Sequence, residues 1–385
     1  MNFELSEDQR AFVESARQFS ERELAPHAAR WDAEAEFPVD VIRKAADMGF
    51  CGLYVPTDQG GLGLSRLDSS LVFEQLAMGC TSTTAYLTVQ NMVTWMIASF
   101  ASKSVADDWV PRMVAGETLG AYCLTEPGSG SDAGSLKTRA ERSGDDYVLN
   151  GTKMFISGAS AAGVFVVMAR TGSEGPSGIS AFVVPADASG ISVGKPEEKM
   201  GWKSQPTCSV SFDNVRIPAH SRLGEEGEGF RFAMRGLDGG RINIATCSLG
   251  TAQQALNEAR DYVLERQQFG KPISQFQGLQ FKLADMATEL VAARQLVRLA
   301  AAKLDNGDPE ATAYCAMAKR FATDVGYRVC DEALQLFGGY GYIREYPAER
   351  HLRDARVHRI LEGTNEIMRV IVARRLLAEN AGELL

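Results

Sequence analysis

The stretch YVLNGTKMFIS, residues 147–157, decides the fold class, because β-forming residues here interrupt a chain that is otherwise patterned as helices. β-Branched and aromatic residues lie on both sides of Asn150-Gly151, the dipeptide most typical of a tight hairpin turn. The spacing predicts a compact β domain over residues 119–230. Its further strands and turns are predicted as GVFVVMAR at 163–170, Gly175-Pro176, ISAFVVPA at 179–186, and CSVSFDNVRI at 208–217 with a turn at Asp213-Asn214.

Helical periodicity fills the chain on either side of this β segment. Ser6 and Gln9 predict a capping box at the start of the first helix, and later short segments end in glycine, as helices often do. After residue 230 the helical segments are longer, and their breaks fall at 270–272, 305–309 and 338–342. We predict an α+β fold with three domains: an N-terminal helical domain at 1–118, the middle β domain at 119–230, and a C-terminal four-helix bundle at 231–385.

Composition and charge disfavour several classes of protein. The 385 residues carry a formal net charge of −9, which argues against nucleic acid as a partner, since phosphate binding needs a basic surface. No apolar run approaches the roughly 18 residues of a membrane span, and residues 1–10 lack the pattern of a secretory signal. We therefore expect no membrane partner, and a cytoplasmic location or, for a processed eukaryotic chain, the mitochondrial matrix.

The cysteines, histidines and clustered arginines give no sign of a metal or phosphate site. Seven cysteines without a CxxC pair are expected to be free thiols in a reducing compartment. The histidines show no HExxH spacing, so we expect no metal, and we expect His351 and His358 at the surface. Arginines recur every third residue over 350–359, which could form a phosphate ladder. A solvated helix face paired with Glu349 and Asp354 is the favoured interpretation.

The glycine-rich stretch TEPGSGSDAG, residues 125–134, fits neither common nucleotide-binding pattern. It misses the GxGxxG spacing by one residue, and no GK[ST] follows as it would in a P-loop. A plain flexible loop is one interpretation. The other is a ligand cradle, because the loop leaves a strand and offers backbone N–H groups, with the hydroxyls of Ser129 and Ser131, to a diphosphate or a ring edge.

A second informative stretch is RVHRILEGTNEIMRVIV, residues 356–372, where Glu362 and Gly363 interrupt apolar residues. The carboxylate of Glu362 lies either in water at a helix end or in an apolar pocket beside Leu361. In the second case burial would raise the pKa of Glu362 and strengthen it as a general base. The local residues leave both possibilities open.

Five separated motifs resemble the acyl-CoA dehydrogenase family and occur in its order and spacing: AYCLTEPGSGSD at 121–132, KMFISG at 153–158, ERQQFGKPISQFQ at 265–277, LQLFGGYGY at 334–342 and ILEGTNEIMR at 360–369. The resemblance covers essentially the full chain. It implies the fold predicted above, with FAD between the β domain and the bundle. Four segments further resemble the branch that acts on isobutyryl-CoA in valine degradation: FPVDVIRKAADMGF at 37–50, SRLDSS at 65–70, GCTSTTAY at 79–86 and GLDGGRINIA at 236–245.

The resemblance assigns several groups of residues to FAD. The wall beside the flavin ring is expected to consist of Tyr122, Leu124, Thr125, Gly130, Ser131, Phe155, Ile156 and Ser157, with Phe155 in place of the tryptophan that many members carry. Contacts to the diphosphate and adenine are expected from Arg266, Phe269, Phe276 and Gln277. Without the motif, Arg266 would be taken as a solvated cation at a helix end. Residues expected to reach the cofactor from a neighbouring subunit are Gln335, Leu336, Gly338 and Gly339. Thr364, Asn365 and Glu366 are expected to open the last helix beside the cofactor.

Glu362 matches the catalytic base of the family. That base takes the α-proton of the substrate while the β-hydrogen goes to flavin N5 as hydride, and the backbone N–H of the base and a ribityl hydroxyl polarise the thioester carbonyl. Some members carry their base at the position of Gly240, but glycine cannot accept a proton, so Glu362 has no competitor there. Substrate contacts are expected from Ser131, Asp238, Gly239, Gly240, Arg241 and Arg374.

The activity implied is FAD-dependent α,β-dehydrogenation of a short branched acyl-CoA, isobutyryl-CoA to methacrylyl-CoA. Electron-transfer flavoprotein is the expected acceptor, and a homotetramer built as a dimer of dimers is the expected assembly. 2-Methylbutyryl-CoA and butyryl-CoA are alternative substrates, since one methylene changes specificity by only about 1–3 kcal/mol. An oxidase that uses oxygen is disfavoured because such enzymes are usually longer chains. A catalytically silent helical scaffold is the non-enzyme alternative.

Overall fold

The computed structural model describes residues 4–378, and its first part is helical. The predicted capping box is present, since Ser6 Oγ accepts from the Gln9 amide at 3.1 Å and Gln9 Oε1 accepts from the Ser6 amide at 3.0 Å. The long fifth helix is buried along most of its length, which places it in the centre of the molecule. The bounds are α1 (Glu7–Phe19), α2 (Ala28–Glu34), α3 (Val39–Asp47), α4 (Arg66–Gly79), α5 (Thr81–Phe100) and α6 (Lys103–Val114).

The middle of the chain forms one sheet of eight strands in the order β6-β7-β3-β2-β4-β5-β8, with β1 beside β4. The bounds are β1 (Gly120–Cys123), β2 (Arg139–Ser143), β3 (Asp146–Ser157), β4 (Val164–Arg170), β5 (Ile179–Pro185), β6 (Ile191–Val193), β7 (Thr207–Pro218) and β8 (Arg222–Leu223). Alternate residues of β4 enter two cores: Val166 packs with α5 and α6, whereas Phe165 and Val167 pack against other strands. Both faces of β4 are therefore covered, which explains its continuous apolar run.

The hairpin predicted at Asn150-Gly151 is wrong. The β3 strand passes through this dipeptide and pairs with β7 on both sides, with a register shift between Leu149 and Gly151. The predicted turn at Asp213-Asn214 lies directly opposite, inside β7, where Asn150 Oδ1 accepts from the Asn214 amide at 2.8 Å. Gly151 has a φ of 150°, and a Cβ there would lie 2.7 Å from the Cα of Thr138. Glycine therefore serves a β-bulge and a close strand contact, not a turn.

The C-terminal part is a bundle of long helices, and its breaks fall where glycine and proline predict them. The 37-residue α7 is about 55 Å long and continues from the sheet into the bundle. The apolar faces of α7, α8 and α9 share one core. The bounds are α7 (Gly229–Glu265), β9 (Gln267–Gln268), β10 (Lys271–Pro272), α8 (Gln277–Asp305), α9 (Ala311–Phe337), α10 (Ala348–His358) and α11 (Asn365–Leu376). The order of helical, β and helical segments confirms the predicted fold class.

The surface positions predicted on α10 are largely wrong. His358 is fully buried and accepts a hydrogen bond from Trp202 Nε1 at 3.2 Å, and His351 is buried beside Glu258. Arg353 is mostly covered and forms an ion pair with Asp32 at 2.6 Å, besides its predicted pairing with Glu349. The carboxylate of Asp354 accepts a hydrogen bond from the Trp202 amide, so its partner is not one of the arginines of α10, as was predicted. These partners come from elements far away in the sequence.

The remaining expectations concern cysteines, metals and membranes. All seven cysteines lie in the described residues and are free, as predicted, and the structure adds that each is buried. Between residues 4 and 378, no group of three or more acidic, cysteine or histidine side chains is arranged to hold a metal ion. No helix in the same range combines the length and the apolar character that a membrane span requires.

Candidate active site

Glu362 lies on a tight turn between α10 and α11. Its φ is 55° and that of Gly363 is 89°, so two successive residues adopt the left-handed conformation. Leu361 anchors the turn in a small apolar cluster with Trp202 and Ile244. Glycine is favoured at 363 because its φ of 89° is one that residues with a side chain rarely adopt, and a Cβ there would also displace Cε of Met368, 2.6 Å away. The turn therefore directs Glu362 away from both helix axes and toward α7.

The carboxylate of Glu362 contacts α7 at Gly240. A Cβ at Gly240 would lie 2.4 Å from Oε2 of Glu362, so only glycine leaves room for the carboxylate in this position. Gly239 similarly faces Arg66, since its Cβ would lie 2.4 Å from Nη1. Arg66 stacks on the ring of Tyr54 with 3.5 Å between the guanidinium carbon and the ring centroid. Two glycines thus bring the α7 backbone close to a carboxylate and a guanidinium.

Asp238 and Arg241 form a buried ion pair on the same turn of α7. Arg241 Nη1 donates to Asp238 Oδ1 at 2.6 Å, and Asp238 Oδ2 accepts from Thr312 Oγ1 at 2.7 Å. Burial raises the pKa of Asp238, and the Arg241 charge opposes that rise. These contacts hold Arg241 near Glu362, where its charge acts on the carboxylate.

Several buried polar atoms of the site make no hydrogen bond within the described residues. They are Glu362 Oε2, Tyr122 Oη, Arg66 Nη1 and Arg241 Nε. Burial raises the pKa of Glu362 to about 7, and the charges of Arg241 and Lys319 offset only part of that effect. Burial also raises the pKa of Tyr122, and the Glu362 charge adds to it. Because buried polar groups are normally paired, this cluster has the character of a ligand site.

The TEPGSGSD loop is fixed to the sheet by a buried ion pair that sequence reasoning missed. Lys153 Nζ donates to Glu126 Oε1 at 2.8 Å and to the Leu124 carbonyl at 3.1 Å. Glu126 also accepts from the amides of Lys137 at 2.6 Å and Thr138 at 2.9 Å. The available signal was a lysine at an inward position of a β-strand, where a charge needs a partner. The loop is thus braced and not freely flexible.

The residues expected to line the flavin differ in what they expose. Phe155 is 62% exposed and has a φ of 59°, which turns its ring out of β3. Ile156 and Leu124 are buried, so the side chain of Ile156 packs inside the sheet and not on this wall. The Thr125 carbonyl accepts from the Met154 amide at 2.8 Å, which joins the two wall segments. Gly130 and Ser131 lie exposed on the loop, and Ser157 is half-buried at the end of β3.

Arg266 lies on a second surface, together with the 335–339 segment. Arg266 and the residues Gln335, Leu336, Gly338 and Gly339 line one cavity of about 560 Å³. The Arg266 guanidinium stacks on Tyr340 at 5.4 Å, and none of the described carboxylates pairs with it. The β9–β10 hairpin next to it presents Phe269, which is 92% exposed, and Phe269 packs edge-on against Phe276 at the start of α8, where Gln277 follows.

The three residues expected to open α11 have different surroundings. Thr364 caps the helix, since Oγ1 accepts from the Ile367 amide at 3.3 Å. Asn365 is buried, and its side chain is bound by Lys319, Thr323 and Asp324. Glu366 is 81% exposed. Arg374 is also exposed, about 14 Å along the helix from Asn365. The structure therefore does not group Arg374 with the cluster around Glu362.

Comparison with known proteins gives three consecutive matches along the chain. They are Acyl-CoA dehydrogenase, N-terminal domain, at residues 6–117, the middle domain at 121–215 and the C-terminal domain at 227–377. The chain belongs to the acyl-CoA dehydrogenase family. Membership makes the protein a flavoenzyme of the oxidoreductase class, with FAD as its cofactor.

Individual relatives within this family are similar over nearly the whole chain. Mitochondrial isobutyryl-CoA dehydrogenase of Bos taurus is 53% identical over 375 residues, covering 97% of this chain and 90% of the relative. The same enzyme of Dictyostelium discoideum is 52% identical with the same coverage. The short-chain specific acyl-CoA dehydrogenase of Bos taurus is 43% identical, covering 97% and 91%. Among solved structures, butyryl-CoA dehydrogenase from Megasphaera elsdenii is 40% identical with a TM-score of 0.95, covering 98% and 100%.

The residues present fit FAD. Phe155 presents an exposed ring, and Tyr122 Oη is buried without a hydrogen-bond partner among the described residues. Arg266, which stacks on Tyr340, forms no ion pair with a carboxylate within residues 4–378. Nothing lies within 4 Å of a Cβ placed at Gly130, Gly338 or Gly339, so the backbone at these positions can approach a ligand. An aromatic wall, open glycine backbone and an unpaired guanidinium suit a flavin ring and a diphosphate.

Proposed function

We propose that this acyl-CoA dehydrogenase converts isobutyryl-CoA to methacrylyl-CoA, with Glu362 as the general base. The observation that carries the proposal is the environment of Glu362. Its Oε2 is buried without a hydrogen-bond partner in the described chain, and burial raises the pKa of the carboxyl to about 7. A base with a pKa near the working pH is both ionised and strong enough to take a weakly acidic proton.

The side chains of the site account for the proton half of the reaction. Glu362 takes the proton from the α-carbon of the thioester, and the electron pair of that C–H bond forms the new double bond. FAD, when bound, supplies the acceptor for the hydride that leaves the β-carbon. Arg241 and Lys319 stabilise the negative charge of Glu362 before the proton is taken. The Glu362 amide is directed by the left-handed turn and would donate to the thioester oxygen.

The groups that would hold FAD lie on two surfaces of one chain. Tyr122, Thr125, Ser131, Phe155 and Ser157 would form the flavin wall, beside Thr364 at the start of α11. The second surface, around Arg266 and Phe269, would bind the diphosphate and adenine. Because Arg266 and Gln335 line one cavity, both would serve the same FAD. If the 335–339 segment reaches a neighbouring subunit, Arg266 does so too, and a dimer is the smallest complete enzyme.

The assembly would then be a homotetramer built from such dimers, which the family resemblance favours. Exposed apolar side chains on the outer faces of the bundle helices agree with this: Leu264 is 58% exposed, Phe281 58% and Val291 53%. Electron-transfer flavoprotein is the proposed acceptor of electrons from the reduced enzyme.

The substrate follows from the shape that isobutyryl-CoA requires. Its α-proton is on a branched carbon and its hydride comes from a methyl group, so the pocket must be wide beside Glu362 but shallow beyond the second carbon. Arg66 stacks on Tyr54 and lies against Gly239, the residue next to the Gly240 backbone that Glu362 contacts. The identity of 53% to an isobutyryl-CoA dehydrogenase, against 43% to a short-chain enzyme, supports the same choice.

A panel of acyl-CoA substrates with a dye acceptor tests this assignment. We expect isobutyryl-CoA to give a higher kcat/KM than 2-methylbutyryl-CoA, butyryl-CoA or octanoyl-CoA, with methacrylyl-CoA as the product identified by mass spectrometry. A tenfold preference for any of the others, about 1.4 kcal/mol in transition-state binding, would overturn the substrate but not the reaction. Absence of turnover with every member, in protein that carries FAD, would overturn both.

A further inference from the structure

Lys319 is a fully buried lysine on α9 whose presence core packing does not explain. Its Nζ donates to the carbonyl oxygen of Gly363 at 2.8 Å and to Oδ1 of Asn365 at 3.0 Å. Burying an ammonium group is costly, and a well-packed apolar side chain often stabilises a core equally well. The surrounding face of α9 is apolar, with Cys315, Ala318 and Ala322 in the bundle core. The two polar acceptors of Lys319, and not its apolar neighbours, therefore account for a lysine at this position.

Both acceptors of Lys319 belong to the segment that carries Glu362. Glu362 and Gly363 have left-handed φ angles, a conformation that a residue with a side chain adopts only where its surroundings hold it. Lys319 binds the carbonyl of the second left-handed residue and the side chain of the first residue of α11. The lysine thus fixes the chain immediately after the base.

Neighbouring residues of α9 complete this attachment. Asn365 Nδ2 donates to Thr323 Oγ1 at 3.0 Å and to Asp324 Oδ1 at 2.9 Å. Thr323 Oγ1 also lies 3.2 Å from Asn365 Oδ1. One face of α9 therefore holds the start of α11 at three positions, and Lys319 is the member that reaches back to the Glu362 turn.

The charge of Lys319 acts on Glu362 as well. Burial lowers the pKa of Lys319 to about 7, and the Glu362 carboxylate is the main charge that opposes this lowering. In return, Lys319 opposes the rise in the pKa of Glu362. Each group favours the charged form of the other. The further charged or titratable groups around the pair are Arg241 on α7, Asp324 on α9, His358 on α10, Glu366 on α11, and Tyr122 and Tyr54 near the carboxylate.

We propose that Lys319 is a positioning residue for the general base, which fixes the turn carrying Glu362 and stabilises its carboxylate through charge. The inference rests on the assignment of Glu362 as base. The hydrogen bonds set where the carboxylate lies relative to Gly240, and the ammonium group sets how readily it ionises. Lys319 itself is not expected to touch the substrate.

Two variants separate these contributions. Lys319→Met removes the charge and both hydrogen bonds, whereas Lys319→Gln removes the charge and can keep a hydrogen bond to the Gly363 carbonyl. We expect both to move the acidic limb of the kcat/KM profile to higher pH by about one unit. The methionine variant should also lose at least tenfold in kcat, and glutamine should restore part of it. Unchanged pH limbs and kcat within twofold in either folded variant would overturn the proposal.

A spectroscopic titration keeps the test independent of turnover. The infrared band of the protonated Glu362 carboxyl, identified by its loss in Glu362→Gln, is followed against pH with and without Lys319→Gln. An apparent pKa that stays at the wild-type value contradicts the charge role. Lys282→Met is the control, because it deletes a lysine of the same helical bundle that pairs with Glu332 and not with the Glu362 segment, and it should leave that band unmoved.

The same set of variants distinguishes failure of this inference from failure of the base assignment. If Glu362→Gln keeps wild-type kcat, the base is wrong and the Lys319 inference falls with it. If Glu362→Gln is inactive while both Lys319 variants have the wild-type pH profile, the base stands and Lys319 has only a packing role.

Discussion

Between residues 4 and 378 two lysines, Lys153 and Lys319, are completely buried, and each has a glutamate nearby, but the two pairs have opposite character. In the sheet, Glu126 accepts from Lys153 and from the amides of Lys137 and Thr138. Burial alone would raise the pKa of Glu126, but Lys153 and these donors outweigh it and lower the pKa. In the bundle, burial dominates at Glu362, whose pKa rises to about 7.

The difference lies in where the hydrogen bonds of each lysine go. Lys153 donates directly to its glutamate, whereas Lys319 donates to the Gly363 carbonyl and Asn365, beside Glu362, and acts on the Glu362 carboxylate through charge and not through a hydrogen bond. A carboxylate with all its acceptors satisfied is a stable brace and a poor base. A buried carboxylate with one oxygen that lacks a hydrogen-bond donor lowers the stability of the fold, but that oxygen is free to accept a proton. Identical residue types therefore form a structural brace in one region and, under the proposed function, the catalytic base and its positioning lysine in the other.

The largest effect that tests this contrast is the loss of the base. Glu362→Gln should lower kcat by about 10²–10⁴ while FAD content and thermal stability are retained, because the amide keeps the shape but cannot accept the α-proton. The measurement is dye-linked turnover beside the flavin absorbance ratio. Glu126→Gln should show the reverse, with weakened FAD retention and an unshifted pH profile. Equal losses of turnover in the two variants at full flavin content would contradict the assignment of different roles to Glu362 and Glu126.

The second-largest effect is expected on stability, from breaking the buried ion pair between Lys153 and Glu126. Lys153→Met leaves Glu126 buried without its cation, and breaking one partner of a buried pair typically costs about 3–5 kcal/mol. Urea denaturation of the FAD-loaded protein measures this change. Lys282→Met is the control, since its pair with Glu332 is partly exposed and should cost about 1 kcal/mol or less. Similar losses in the two variants would show that Lys153 and Glu126 are only loosely coupled.

A smaller effect is expected from crowding the base. Gly240→Ala places a methyl group 2.4 Å from Glu362 Oε2, so the carboxylate must move. A displacement of about 1 Å can cost on the order of 10²-fold in rate, and we expect kcat to fall toward that value with unchanged FAD content. Gly236→Ala on the same helix is the control, because its nearest neighbour is the flexible Met96 Sδ at 3.1 Å. A Gly240→Ala variant as active as this control would show that Glu362 is free to move.

The smallest expected effect is a gradual change of kcat/KM with pH. With the pKa of Glu362 raised to about 7, kcat/KM should rise about tenfold per pH unit below 7 and level off above it, because only the carboxylate is a base. The folded protein also holds this proton more tightly than the unfolded chain, so the ionisation of Glu362 costs stability as pH rises from 4.5 toward 7. Glu362→Gln should lack that decline in denaturant titrations. A rate that is flat between about pH 5 and 8 would contradict the raised pKa.

Most of the fold could be predicted because its signals are local. Helix breaks at 270–272, 305–309 and 338–342 depend on glycine and proline in the immediate sequence. The hairpin prediction at Asn150-Gly151 was wrong because a β-bulge and a turn need the same backbone freedom. Only the pairing of β3 with its neighbour β7 decides between them. The surface positions predicted for His358 and Arg353 were wrong for a related reason. Their partners, Trp202 and Asp32, are 156 and 321 residues away in the sequence.

The residues of the candidate site also divide into those that the local sequence indicates and those that depend on distant contacts. The interruption of an apolar run by Glu362 and Gly363 is local, so the neighbouring residues are enough to single out this carboxylate. The roles of Lys319 and Lys153 could not be predicted in the same way, because they depend on acceptors that folding brings to them. A lysine within the alanine-rich stretch of α9, or at an inward position of a strand, is the one local sign of such a role.

The contact between Gly240 and Glu362 also constrains how such an enzyme evolves. Side chains at these two positions reach the same point in space, so either one can deliver the carboxylate, and relatives that place it at the equivalent of Gly240 are structurally accessible. Under the proposed role of Glu362, two glutamates at these positions would crowd and repel each other, and two residues without a carboxylate would lose the reaction. Transfer of the proposed base between the turn before α11 and helix α7 would therefore pass through one of these two unfavourable combinations, and the effect of each substitution would depend on the other.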